Sequence, residues 1–82
     1  GTLGATYFRA GRYEDCVKTL EQNLEPYYFG KEEDMAFLVM SYKRLGRRED
    51  AGKIEAKCRE WEGQSRKANP MRAEMERVLR EP

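Results

Sequence analysis

A thirteen-residue line that the chain states twice constrains its fold more than any other feature. Leu3-Gly-Ala-Thr-Tyr-Phe-Arg-Ala-Gly-Arg-Tyr-Glu-Asp15 recurs 35 residues later as Leu38-Val-Met-Ser-Tyr-Lys-Arg-Leu-Gly-Arg-Arg-Glu-Asp50. Seven of the thirteen positions are identical, among them Tyr7/Tyr42, Arg9/Arg44, Gly11/Gly46, Arg12/Arg47 and Asp15/Asp50. Unrelated segments would agree at roughly one position, so the chain carries an internal repeat. A unit this short cannot bury its apolar side alone, and stacking the copies is what gives them a common core.

Within each copy the apolar residues recur with helical period. Leu3, Tyr7 and Ala10 predict a helix over 2–10 that stops at Gly11, a residue free to take the left-handed backbone of a helix end. Tyr13, Cys16, Val17, Leu20 and Leu24 form the stripe of a second helix, 13–25, which Pro26 stops. A third helix, 32–45, is acidic at its start and basic at its end, as the helix dipole favours. Its middle, Met35-Ala-Phe-Leu-Val-Met40, is apolar all round, which predicts a central helix covered on more than one side. Gly46 ends it, and Ala51, Ile54, Cys58 and Trp61 mark a fourth helix over 48–64.

After a polar stretch, Asn69-Pro70 gives a helix start, with Asn as N-cap and Pro in the first turn. Met71, Met75, Val78 and Leu79 give this last helix, 70–80, one covered face. No segment alternates over strand length, so the expectation is an all-α chain of five antiparallel helices. The connection through Tyr27, Tyr28 and Phe29 is unusually aromatic for a loop; it reads as a plug between helix layers or as an exposed rim for a partner.

Composition limits the chemistry. Charged residues make up 38% of the 82, yet the net charge is only +1, which gives no electrostatic case for nucleic acid or a membrane surface. The basic stretch 43–48 is followed at once by Glu49 and Asp50 and reads as helix-end electrostatics. Histidine is absent, the acids sit at helix starts or on polar faces, and no phosphate loop or metal-ligand spacing occurs. The expectation is a non-enzyme with no cofactor, metal or catalytic residue. Cys16 and Cys58 lie at apolar helix positions and read as free thiols of a reducing compartment, hence a cytoplasmic location. No transmembrane or signal segment is seen, and a start at Gly1 reads as a fragment of a longer protein.

The spacing resembles the tetratricopeptide repeat. Leu3-Gly4, Tyr7, Gly11, Cys16 and Leu20 stand at that family's motif positions in the first copy, and Leu38, Tyr42, Gly46, Ala51 and Cys58 in the second. Met35, Val39 and Glu55 depart from the pattern, and the period is 35 rather than the family's 34, with the extra residue placed in the 27–30 connection. The likeness covers residues 2 to 62; the phrasing is similar to degenerate repeats in bacterial multidomain proteins. It implies a right-handed α-solenoid of antiparallel hairpins: repeat one 1–30, repeat two 31–64 and a capping helix 69–80.

The resemblance also implies a protein or peptide partner, bound on an inner surface lined by the first helix of each repeat. The groove residues would be Ala5, Phe8 and Arg9, then Ala36, Phe37, Met40, Lys43 and Arg44. An apolar floor beside two equivalent arginines suits a peptide with apolar anchors and some acid. Ala5 and Met40 stand where relatives that grip a C-terminal carboxylate carry asparagine. Phe37 and Met40 are alternatively core residues. A front edge with Leu3 and Tyr7 would self-associate as a homodimer or be covered by further repeats. Against the binding module stands a second class, a structural spacer or dimerisation segment with no separable ligand.

Overall fold

The computed structural model describes residues 2–24, 31–65 and 69–82. Among them the chain forms α1 (Thr2–Arg9), α2 (Tyr13–Leu24), α3 (Glu32–Arg44), α4 (Arg48–Ser65) and α5 (Arg72–Leu79), and no strand. The aromatic connection expected as a plug or rim, Tyr27, Tyr28 and Phe29, lies outside the described residues.

The repeated line folds into the same joint twice. Gly11 and Gly46 take φ values of +77° and +78°, a backbone that a side chain would strain. In the first copy Arg12 N donates to Tyr7 O at 2.9 Å and Gly11 N to Phe8 O at 3.0 Å; in the second, Arg47 N donates to Tyr42 O at 2.8 Å and Gly46 N to Lys43 O at 3.1 Å. These paired bonds satisfy the last carbonyls of each helix and turn the chain back. The side chains repeat as well. Arg12 lies 5.0 Å from the Tyr7 ring centre and bonds Asp15, while Arg47 lies 4.6 Å from the Tyr42 ring and bonds Asp50.

The four helices so joined pack as antiparallel neighbours. α1 rests on α2, α2 on α3 and α3 on α4, with a lesser contact of α1 to α3. Every residue of α3 from Met35 to Tyr42 is buried, which is why this helix can lack a polar face. Cys16, Leu20 and Leu24 from α2, Ala51, Ile54 and Cys58 from α4, and Met75 and Val78 from α5 complete the core. Leu20 packs where α1 has no side chain: a Cβ on Gly4 would fall 2.4 Å from its Cδ2. In the second copy the bulk has changed sides, with Val39 at the Gly4 position and Glu55 at that of Leu20.

The fifth helix keeps the expected alternation of direction but takes an unexpected neighbour. Asn69 Nδ2 donates to Glu32 O at the start of α3, and Lys43 Nζ at the end of α3 donates to Glu81 O. Therefore α5 runs parallel to α3. It packs on α3, and among the described residues no Cα of α5 comes within 8 Å of α4. Its tie to α4 is made by side chains at its start, where Arg72 pairs with Glu62. The physical reason stands on α4. Where α2 has the buried Leu20 and Leu24, α4 has Glu55 and Arg59, paired to each other at 2.7 Å. An ion pair on the surface gives the next helix no apolar seat, so α5 takes the remaining apolar side of α3. The gap it leaves beside α4 is a depression of about 400 Å³ lined by Lys43, Ala51, Gly52, Glu55 and Leu79.

Asn69 is the post on which this turns. Its buried side chain also accepts from Met71 N at 2.8 Å, and its own N–H donates to Glu62 of α4. Asn69 thus closes a turn ahead of the helix and is not its cap as expected: the helix opens at Arg72 rather than Pro70, and Met71 stands at its N-cap with no side-chain bond.

Candidate functional site

The eight groove residues divide by chemistry. Phe8, Ala36, Phe37 and Met40 are buried, and Ala5 is half-buried against them. Phe8 sits between the rings of Tyr13 and Phe37, with centres 5.5 Å away on both sides. These apolar members are core, the alternative already open for Phe37 and Met40. An aromatic pair at this spacing contributes about 0.5–1.5 kcal/mol beyond its burial, so the cluster stiffens the α1–α3 contact.

The three cations, by contrast, all reach the C-terminal segment. Arg9 pairs with Glu74 through both guanidinium nitrogens, one at 2.7 Å, while its guanidinium carbon lies 5.5 Å from the Phe37 ring centre. Lys43 Nζ bonds the Glu81 carbonyl at 2.7 Å. Arg44 meets the Glu81 carboxylate at 2.7–2.8 Å and also donates to the Tyr13 hydroxyl at 2.8 Å. The bond to Arg9, more than any other influence, holds the Glu74 carboxyl below its ordinary range, and the same bond raises Arg9. The bond to Glu81 likewise raises Arg44.

The helix so held lies along α3 and is tied to α1 through the Arg9–Glu74 pair. α5 and the residues just after it present Glu74, Met75, Val78 and Glu81, an acid at each end and two fully or nearly fully buried apolar residues between. Glu74 stands in the first turn of α5 and Glu81 just past its end, and they answer Arg9 on α1 and Arg44 on α3. Glu74, Glu81 and Asn69 were not among the expected site residues. The signal for the two acids is in the sequence: they flank the Met75/Val78 stripe with opposite charge to the paired arginines.

Burial holds both thiols protonated. It pushes Cys58 up to about 11 and raises Cys16; both cysteines are free. Among the described residues no cluster of three or more His, Cys, Asp or Glu could hold a metal, and no helix is long and apolar enough to cross a membrane. Comparison with protein-family models, curated proteins and solved structures finds no match for this chain.

Proposed function

We propose that this chain is a non-catalytic protein-interaction module, a tetratricopeptide-like right-handed solenoid of two hairpins, whose α1–α3 face binds an acidic amphipathic helix of a partner. The observation that carries the reading is α5 itself. It is seated on that face by two apolar anchors and by carboxylates on Arg9 and Arg44, the ligand chemistry that an apolar floor with two arginines suits. On this reading α5 is a resident occupant that a partner helix replaces, and its light attachment to α4 keeps the exchange local. The buried free thiols fit a reducing, cytoplasmic setting.

Occupation of the face also favours a second reading, a spacer whose groove is permanently closed. Titration of helix-forming peptides with the pattern acid, apolar, two residues, apolar, two residues, acid separates the two. The module reading expects saturable binding that Arg9→Glu weakens and that Glu74→Lys with Glu81→Lys strengthens by about tenfold, as roughly 1.4 kcal/mol of competition is removed. No binding to either form of the chain, with light scattering unchanged, supports the spacer.

A further inference from the structure

Among the described residues, the outer face of α1 is the unpaired twin of a face that is filled elsewhere in the molecule. On α3, Leu38 and Tyr42 are buried, 1% and 4% exposed. They share a 220 Å³ depression with Glu21 and Leu24 of α2, and the Tyr42 hydroxyl donates to Glu21 Oε2 at 2.5 Å. Arg47, stacked on the Tyr42 ring, stands 3.8 Å from the same carboxylate. Helix α2 is thus received by a leucine and by a Tyr–Arg pair that takes its glutamate.

Leu3, Tyr7 and Arg12 are the same three residues one repeat earlier. Arg12 stacks on Tyr7 as Arg47 does on Tyr42. Leu3 is 54% exposed and Tyr7 is only half-buried. We infer that this outer face of α1 is a docking site for a partner's amphipathic helix with α2's chemistry: leucine, glutamate and leucine at i, i+1 and i+4, the glutamate received by Tyr7 and Arg12.

A second copy of this chain does not supply that helix. Its α2 is already enclosed between α1 and α3, and α4, the equivalent helix with a free side, has Glu55, Ala56 and Arg59 in place of Leu20, Glu21 and Leu24. The missing leucines and the arginine facing Arg12 make that match unfavourable in both packing and charge.

The test uses the whole 82-residue chain and a helix-stabilised peptide carrying residues 13–24, followed by amide NMR. Saturable binding with shifts confined to α1 and the Arg12 turn is expected. Glu21→Gln in the peptide, Tyr7→Phe in the protein and Leu3→Asp in the protein should each weaken it, the first by about tenfold. Leu3 is exposed and Tyr7→Phe keeps the ring, so both variants fold. Shifts on α3 and α5 instead, or no saturable binding, overturn the assignment, as does a dimer of the chain that Leu3→Asp abolishes. Shifts on α3 and α5 would place the peptide on the α1–α3 face instead, while the other results leave the exchange at that face untouched.

Discussion

At Tyr42 the phenol is closed in by its neighbours and donates to Glu21, whereas Tyr7 is half-covered and meets Arg12 across its ring. Identical residues in identical joints should therefore contribute unequally. Tyr42→Ala is expected to destabilise by about 3–5 kcal/mol, as for a large side chain removed from a core, and Tyr7→Ala by roughly half as much. Urea denaturation of the two variants checks this, and equal losses would contradict the difference in covering. Burial first, and then the bond to Glu21, raise the Tyr42 hydroxyl above the ordinary phenol range. A raised folded value means that its contribution is complete below the unfolded value of about 10 and drains away as pH rises past it. Stability should accordingly fall above about pH 10, and Tyr42→Phe should flatten that slope. The neighbouring Ser41 hydroxyl is buried without a standard hydrogen bond, and the group it faces is the Cys16 thiol, a weak partner.

Each of the first four helices was legible in the sequence because each is closed by a local rule. Glycine stops α1 and α3, and a stripe of period 3.6 marks α2 and α4, so the boundaries agree to within a residue. The place of α5 was not legible in the same way. Its stripe of Met75 and Val78 states that one face is covered but not by what, and the missing apolar seat shows only when Glu55 and Arg59 are set beside Leu20 and Leu24. Its direction is the one that alternation expects, but its seat along α3 is fixed by long-range bonds, Asn69 to Glu32 and Lys43 to Glu81, that no local pattern encodes. The same holds for the site: Arg9 and Arg44 were recognisable as a pair, while their carboxylate partners lie 65 and 37 residues away. At the level of this helix, acid is the lever. Glu74 has a lowered folded value, so its pairing is complete above the ordinary glutamate range and is lost as pH falls through the folded value. Hydrogen exchange of α5 amides should quicken relative to α2 on going from about pH 5 to about pH 3 after correction for intrinsic rate, and Glu74→Gln should remove that change.

Taken whole, the molecule is two copies of one hairpin joint with a fifth helix laid along the central one, in a body with a radius of gyration of 11.5 Å. That is close to the roughly 12 Å of a compact domain this long. The copies differ where it matters for assembly. Leucines on α2 continue the stack to α3, and an ion pair on α4 ends it. The helix that follows then turns onto the α1–α3 side, and its burial there closes the core around α3. Zero-length carbodiimide cross-linking of an Arg9→Lys variant tests this placement most directly, because it joins an amine to a carboxylate only in contact. Peptide mapping should find an isopeptide between position 9 and Glu74. Cross-links from Glu74 or Glu76 to Lys53 or Lys57 of α4, with none at position 9, would contradict it.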